Sequence, residues 1–414
     1  MDTKTLRCGL LGRKLGHSYS PAIHERLADY SYRLFEVEPE DLGAFLQEGA
    51  FDGLNVTIPY KKDVIPYCAE LSDTARAIGA VNTLVRRADG TLWGDNTDAY
   101  GFSMLVQSSG ADVAGKKALV FGSGGASATA QYVLRQLGAR EVVMISRHGE
   151  DNYENLDRHA DAQIAVNTTP VGMYPNTGVS PVDLHRLPRL EAALDVVYNP
   201  ARTEFLLQAE ARGLRRANGL LMLAAQAKKS CEDFTGEPVA DENIFSITKA
   251  LEAQMHNVIL IGMPGSGKTT IGTLVAKRLG RTFVDADSAL ELEAGMPIPE
   301  IFRREGEAGF RRRETAVLAE LGRQSGLVLA TGGGSVTREE NYPLLHQNGE
   351  IFCLQRALEQ LPSAGRPVSQ ALGAQTIYAQ RKPLYARFAD AMIDNNGTPE
   401  AAAAQILEVL GCSC

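Results

Sequence analysis

Val258-Ile259-Leu260-Ile261-Gly262-Met263-Pro264-Gly265-Ser266-Gly267-Lys268-Thr269 is an aliphatic run that passes directly into the pattern G-x-x-x-x-G-K-[ST]. Consecutive aliphatic residues bounded by glycine read as a strand buried on both faces, and the stretch Thr269 to Leu279 that follows reads as a helix. A glycine-rich turn between the two offers backbone N–H groups and a helix N-terminus, which together cradle phosphates. Lys268 then stabilises charge on the transferring group, and Thr269 reaches Mg²⁺. Strand before and helix after is the context this motif requires, so the C-terminal part of the chain is expected to be a P-loop α/β domain.

The same rhythm extends upstream, with Leu6 to Leu11 followed by amphipathic Pro21 to Tyr30, and Ala118 to Phe121 followed by Ala126 to Leu137. Such alternation predicts α/β units with parallel sheets. At 414 residues the chain is expected to hold two or three domains, since one core organises about 100–200 residues. A hydrophobic share of 44% and a charged share of 22% fit an ordinary globular protein. The net charge of -8 argues against a nucleic-acid or anionic-membrane partner, both of which need a concentrated basic surface. No apolar run approaches a membrane span, Met1 to Leu11 lacks a leader-like core, and the cysteines are scattered, so a cytoplasmic protein with reduced thiols is expected. Cys412 and Cys414, close together at the terminus, are assigned no role. Lys249 to Asn257 reads as a short linker without a Pro/Gly spacer.

A second glycine turn lies in Ala118-Leu119-Val120-Phe121-Gly122-Ser123-Gly124-Gly125-Ala126-Ser127, again between a strand and a helix. It is similar to a dinucleotide fingerprint, with Ser127 in place of the usual last glycine. The next apolar run, Val142 to Ile145, ends in Ser146-Arg147 instead of the acidic residue that would bind a free ribose hydroxyl, and an arginine there suits the extra phosphate of NADP. A solvated surface arginine is the other reading. Four polar clusters sit at loop-like positions in the first hundred residues: Ser18-Tyr19-Ser20-Pro21, Asn55-Val56-Thr57-Ile58-Pro59-Tyr60-Lys61, Gly79-Ala80-Val81-Asn82-Thr83 and Gly94-Asp95-Asn96-Thr97-Asp98. Hydroxyls, amides, one amine and one carboxylate suit a small polyhydroxylated acid, with Lys61 and Asp98 as the obvious proton-transfer pair.

These clusters, in this order, resemble the shikimate dehydrogenase family over about the first 250 residues, and the likeness continues through Asn167-Thr168-Thr169-Pro170-Val171-Gly172-Met173, Asp195-Val196-Val197-Tyr198-Asn199-Pro200 and Gly219-Leu220-Leu221-Met222-Leu223-Ala224-Ala225-Gln226. The resemblance implies that Ser18 and Ser20 bind the substrate carboxylate, that Thr57, Asn82, Asp98 and Gln226 hold its hydroxyls with Tyr198 nearby, and that Lys61 gives a proton to the oxygen as hydride arrives. It places the cofactor at Gly122, Ser123, Gly124, Gly125, Ala126, Ser146, Arg147, Thr168 and Met222. Two departures concern the cofactor. Of the family's Asn-Arg-Thr/Ser only the arginine survives in Ser146-Arg147-His148, and Arg147 to Asn167 is much shorter than usual, implying a missing or reduced strand-helix unit.

In the C-terminal part, Phe283-Val284-Asp285-Ala286-Asp287 puts two carboxylates on one face at a strand end, Phe310-Arg311-Arg312-Arg313-Glu314 offers arginines one helical turn from a carboxylate, and Thr331-Gly332-Gly333-Gly334 allows close backbone approach. With Gly306-Glu307, Gly365-Arg366-Pro367 and Arg381-Lys382-Pro383-Leu384-Tyr385, these resemble shikimate kinase. That resemblance implies that Asp287 binds and activates the acceptor hydroxyl, that Arg311, Arg381 and Gly332, Gly333 and Gly334 bind the carboxylate, and that Arg366 arrives on a lid. Gly262, Gly265, Ser266, Gly267, Thr269 and Thr270 would hold ATP, with Thr269 and Asp285 serving Mg²⁺. Arg312 and Arg313 are left as surface.

The expected architecture is a shikimate-dehydrogenase-like substrate domain (1–103), a shortened Rossmann NADP domain (104–225), helices returning to the substrate domain (226–252) and a P-loop, nucleoside-monophosphate-kinase-like α/β domain (256–414). The expected function is NADPH-dependent reduction of 3-dehydroshikimate to shikimate, followed by ATP-dependent phosphorylation of shikimate. Two other readings stand beside it: a quinate- or NAD-preferring first half, and a ligand-sensing regulator built from enzyme-like domains.

Overall fold

The aliphatic runs become strands whose ends lie within a residue or two of the sequence expectation. In the computed structural model, which describes residues 6–16, 18–361 and 373–411, the chain divides into two units. The first comprises Met1–Met173, Val179–Tyr198 and Phe205–Ala250, and the second Tyr174–Gly178, Asn199–Glu204 and Leu251–Cys414. Among the described residues no helix is long and apolar enough to cross a membrane. Cys8, Cys68, Cys231 and Cys353 are free, and Cys412 and Cys414 lie outside the described residues.

The first unit holds two sheets. One contains β1 (Arg7–Gly12), β2 (Ser31–Glu36), β3 (Gly53–Val56), β4 (Cys68–Leu71), β5 (Thr83–Arg86) and β6 (Leu92–Asp95) in the order β2-β1-β3-β5-β6-β4. This sheet is mixed, which corrects the expectation of parallel sheets throughout: β5 runs antiparallel to both β3 and β6. The reason is local. Asp89-Gly90 turns the chain between β5 and β6, with the Arg87 N–H donating to the Thr91 carbonyl at 2.8 Å, so the two strands close as a hairpin. The expected amphipathic element over Pro21 to Tyr30 is helical only at Ser20–His24. Beyond it the chain reverses around His24, whose ring is buried, stacks 3.9 Å from Tyr32 and shares a 2.6 Å hydrogen bond with the Tyr30 hydroxyl.

The second sheet, β7 (Lys117–Phe121), β8 (Glu141–Ile145), β9 (Ile164–Asn167), β10 (Ala192–Asp195) and β11 (Arg215–Ala217), is wholly parallel in the order β11-β10-β9-β7-β8. Its strand β7 sends Ala118 and Val120 into one apolar cluster and Leu119 and Phe121 into another, which is why the run carries no polar alternation. A doubly wound sheet of six strands would continue past β8. Here β8 is the edge, and residues 146–163 contain only a short 3₁₀ helix, Leu156–His159, before β9. The expected boundaries at 103/104 and 225/226 fall inside continuous helices, Asp98–Ser109 and Leu220–Thr235, which pack on each other.

The second unit is built on β12 (Asn257–Gly262), β13 (Phe283–Asp285), β14 (Val328–Ala330), β15 (Gly349–Gln355) and β16 (Ala391–Asp394), all parallel in the order β13-β14-β12-β15-β16. Central β12 again divides its side chains, Val258 and Leu260 to one cluster, Ile259 and Ile261 to the other. The expected linker at Lys249 to Asn257 is the end of a helix, Glu242–Met255, running almost directly into this strand. Ala401 to Ala404 lie in the helix Pro399–Val409, capped by the Thr398 hydroxyl.

At the head of β12, fully buried Asn257 donates through Nδ2 to the Gln324 carbonyl at 2.7 Å and accepts the Leu327 N–H on Oδ1 at 2.8 Å. Asn257→Ala would strand both groups, and urea unfolding should report a loss of about 1–3 kcal/mol from the second unit with an unchanged m-value.

Candidate active sites

In the first unit, β3 ends at Val56 and delivers Thr57 and Lys61 to a cavity of about 720 Å³, whose opposite wall is the glycine turn after β7. Lys61 Nζ donates to Asp98 Oδ2 at 2.5 Å, the two side chains being 23% and 12% exposed. Asp98 is the first residue of the helix Asp98–Ser109, so the carboxylate sits at a helix N-terminus, where negative charge is favoured. A Cβ placed on Gly125 would come within 3.7 Å of Lys61 Cδ, which puts the ammonium arm directly beside the glycine turn.

That turn fits a dinucleotide. Gly122 has φ +114°, and a Cβ there would meet Thr168 Oγ1 at 2.8 Å, so only glycine allows the close approach of the two loops. The Thr168 hydroxyl donates to the Phe121 carbonyl at 2.7 Å and ties the loop after β9 to the end of β7. Gly122, Ser123, Gly124, Gly125, Ala126, Ser146, Arg147 and Thr168 all line the cavity. Met222 does not. Its Cγ packs against Gly101, where a Cβ would meet it at 3.1 Å.

The polar clusters for the small acid are joined by a buried network that sequence reading only half resolves. Asn82, 3% exposed, accepts the Thr97 N–H at 2.7 Å and the Thr83 hydroxyl at 3.1 Å on Oδ1, and its Nδ2 donates to Thr97 Oγ1 at 3.1 Å. Tyr32 donates to Asn55 Oδ1 at 2.8 Å, and Ser230 to the same oxygen at 3.4 Å. Ser20 is buried, and its N–H donates to Ser18 Oγ at 3.2 Å. Gln226 donates to the Leu223 carbonyl at 2.9 Å. The Tyr198 ring packs edge-on against Tyr19 at 6.2 Å, and burial pushes its phenol above the ordinary value. Ser18, Ser20, Asn82, Asp98, Tyr198 and Gln226 lie outside the residues lining the dinucleotide cavity. Thr83, Thr97 and Tyr32 were missed as side chains with a part in the site, although Thr97 stands next to Asp98 in a quoted cluster.

In the second unit a cavity of about 870 Å³ runs from the phosphate loop to the glycines after β14. Gly265, Gly267, Lys268, Thr269 and Thr270 line one end, and Asp287, Arg311, Glu314, Gly332, Gly333, Gly334 and Arg381 the other. Lys268 Nζ donates to the Gly262 and Met263 carbonyls at 3.0 and 3.1 Å, which holds the arm over its own loop. Ser266 is fully buried, and the Asn395 amide donates to its carbonyl at 2.5 Å from the end of β16. Thr269 Oγ1 donates to Asp285 Oδ2 at 2.9 Å, while Asp285 Oδ1 accepts the N–H groups of Asp287 and Ser288 at 3.1 and 3.3 Å. Among the described residues no group of three or more His, Cys, Asp or Glu could hold a metal. A Mg²⁺ ion here would rest on Thr269, Asp285 and phosphate oxygens, the arrangement this ion favours with nucleotides.

The acceptor end is a buried charge cluster. Non-helical Gly306 splits the stretch Ile298–Gly322, and the second helix carries Arg311 and Glu314, whose Nη1 and Oε2 pair at 2.7 Å. A Cβ on Gly332 would meet Glu314 Oε1 at 2.6 Å and Asp287 Oδ1 at 2.8 Å. Burial, with repulsion from Glu314 and Asp285, pushes the Asp287 carboxyl up to about 6 against the pull of Lys268 and Arg311. The Gly333 carbonyl accepts from Arg381 Nη1 at 2.9 Å and from the Tyr385 hydroxyl at 2.5 Å. Arg312 is exposed and Arg313 pairs with Glu305 at 2.8 Å, so both stay on the surface. Arg366 lies outside the described residues.

Residues 10–84 match the shikimate dehydrogenase substrate binding domain, and residues 264–411 match shikimate kinase. An NADP(+) shikimate dehydrogenase of Clostridium perfringens strain SM101 is 37% identical over 265 residues, covering 58% of this chain and 97% of that protein. Among solved structures, a chorismate mutase/shikimate 5-dehydrogenase fusion from Clostridium acetobutylicum is 34% identical with a TM-score of 0.57, covering 60% of this chain and 98% of that one. The shikimate 5-dehydrogenase of Thermus thermophilus, solved with NADP(H) and shikimate, is 32% identical with a TM-score of 0.55, covering 59% of this chain and 99% of that one.

Tyr385→Phe would leave Arg381 alone on the half-buried Gly333 carbonyl. The expected result is a loss of about 1 kcal/mol in urea unfolding of the second unit and a raised KM for the acceptor with the KM for ATP unchanged.

Proposed function

Since the chain belongs to the shikimate dehydrogenase family through its first unit and carries a shikimate kinase domain after it, we propose that one polypeptide reduces 3-dehydroshikimate with NADPH and phosphorylates the resulting shikimate with ATP. The observation that carries this reading is the pairing of Lys61 with Asp98 at 2.5 Å, directly beside the dinucleotide turn. Gly122, Gly124, Gly125 and Arg147 would hold NADPH, which when bound would supply hydride to the carbonyl carbon. Lys61 delivers a proton to the carbonyl oxygen, because a free alkoxide is too basic to accumulate near neutral pH and a positioned ammonium stabilises its developing charge. Asp98 aims the ammonium, and the Thr97–Asn82 network fixes the amide that faces the substrate hydroxyls.

In the kinase domain, Asp287 accepts the proton of the attacking hydroxyl while Lys268 and Mg²⁺ at Thr269 and Asp285 stabilise charge on the phosphoryl group. Arg311, aimed by Glu314, takes the substrate carboxylate. Burial, seconded by the nearby Glu314 and Asp285 carboxyls, is what brings the Asp287 proton affinity towards working pH.

NADP rather than NAD is supported by Ser146-Arg147 directly after β8, where an arginine stands in place of the acidic residue that would bind a free ribose hydroxyl. A retired, ligand-sensing pair of domains would have been free to lose Lys61, Asp98, Lys268 or Asp287, and all four are kept. We place the enzyme in the cytoplasm, where both nucleotides are supplied and free thiols persist.

Mass analysis of the product from 3-dehydroshikimate, NADPH, ATP and Mg²⁺ should show shikimate 3-phosphate; accumulation of shikimate alone would remove the kinase half. Lys61→Ala should lower the reductase kcat by about 100- to 10,000-fold and spare phosphorylation, and Lys268→Ala should do the reverse. Loss of both activities in either variant would refute independent sites. As pH falls through about 6 the Asp287 carboxyl takes up its proton and can no longer accept one from the hydroxyl. The phosphorylation kcat/KM for shikimate should therefore drop about tenfold per pH unit below that point, and a limb that begins only near 4 would count against Asp287 as the base.

A further inference from the structure

The shortened connection after β8 poses a physical question. In a doubly wound sheet the adenosine half of a dinucleotide lies beyond the C-terminal end of the strand next to the central one, which here is β8, the sheet edge. With no further strand and helix beside it, that half would face solvent unless residues 146–163 supply a wall.

These residues are short but tightly held. The Ser146 N–H donates to the Asp151 carbonyl at 3.2 Å, and the Asp151 carboxylate bonds the buried His159 ring at 2.9 Å, closing a loop between them. Inside the loop, Asn155 Oδ1 accepts the Asn152 N–H at 2.9 Å and Asn152 Oδ1 accepts the Glu154 N–H at 2.9 Å, so the backbone on both sides of Tyr153 is fixed by side-chain amides. Arg186 donates to the Tyr153 carbonyl at 2.9 Å and to Asp157 at 2.9 Å, and fully buried Leu156 anchors the segment to the core. The result is that the Tyr153 ring lies 22° from parallel to Phe121 at 6.1 Å and lines the same cavity as Ser146 and Arg147. Phe121 is the last residue of β7, immediately before Gly122. Arg147 is exposed and, among the described residues, makes no ion pair.

We propose that Tyr153 is the aromatic platform for the adenine of NADP(H), presented by the Asp151–His159 loop in place of the missing strand-helix unit, with Arg147 taking the ribose phosphate beside it. This rests on the reading of the first site as an NADP site. A flat base stacks on an aromatic face whatever its hydrogen-bonding pattern, and a ring whose backbone is already fixed loses little freedom when it does so. The sequence stretch contains no glycine-rich or acidic ribose signature, so the platform is visible only once the loop is folded.

The test uses the full chain and three probes. NADPH binding is read from nicotinamide fluorescence; 2′,5′-ADP is read by its displacement of NADPH, which ignores any binding at the kinase; reduced nicotinamide mononucleotide, lacking the adenosine half, is read by its turnover with 3-dehydroshikimate. Tyr153→Ala should weaken both adenosine-containing ligands about tenfold, leave kcat/KM for the mononucleotide unchanged, and Tyr153→Phe should bind like the unaltered protein. Arg147→Ala should weaken 2′,5′-ADP and narrow the preference for NADPH over NADH. Unchanged NADPH binding in Tyr153→Ala would overturn the platform alone, as would a parallel fall in mononucleotide turnover, which would make the ring a structural support. Failure of the unaltered chain to bind NADPH would overturn the underlying reading as well.

Discussion

A parallel strand with apolar clusters on both of its faces leaves only its ends for chemistry, and both nucleotide sites of this protein depend on that constraint. In β7 and β12 successive side chains enter opposite clusters, so beyond the first residue, Lys117 or Asn257, neither strand carries a polar side chain, which there would face a desolvation cost. Each strand therefore ends abruptly in glycine, where backbone N–H groups and a helix start lie open to an anion. The open glycine loops are thus a consequence of how the cores are buried, and the charged side chains are added around them: Lys61 and Asp98 in the first unit, Asp287 and Arg311 in the second.

The two sites handle charge differently. Lys61 and Asp98 form a pair that stays partly open, with side chains 23% and 12% exposed, which would suit the proton donor proposed above, since it would be recharged from solvent. The Arg311–Glu314 end of the second site is drier, with side chains 10% and 3% exposed. There the pair is worth little as a source of stability, since desolvation offsets much of the attraction. Its effect is on shape, holding the guanidinium in one orientation, while burial and the Glu314 carboxylate raise the carboxyl of Asp287 against the pull of Arg311.

Much of this was legible along the chain because it rests on local rules. Strand, glycine turn and helix follow one another without interruption at Ala118–Ala126 and Val258–Thr270, and the carboxylates of Asp285 and Asp287 share a face by alternation alone. Where the expectation failed, the cause was a short-range feature that hydrophobic periodicity does not report. The stretch Pro21 to Tyr30 has helical periodicity, yet the burial of His24 against Tyr30 and Tyr32 turns the chain early. The first sheet became mixed because one Asp-Gly turn made a hairpin within an otherwise crossover-rich sequence.

The side chains that complete the sites lay beyond such rules. Tyr385 and Asn395 reach the Gly333 and Ser266 carbonyls from elements far along the chain, and Tyr153 meets Phe121 from within the loop that the Asp151–His159 contact closes. The sequence by itself determined the strand-loop-helix units, the two phosphate-binding turns and the residue types able to move protons and phosphoryl groups, because periodicity, glycine and charge act over a few neighbouring residues. The tertiary structure alone decided which carbonyls are held, how far a carboxyl's proton affinity rises and which side chains line each cavity, because those depend on burial and on distances between residues that only the packed core brings together.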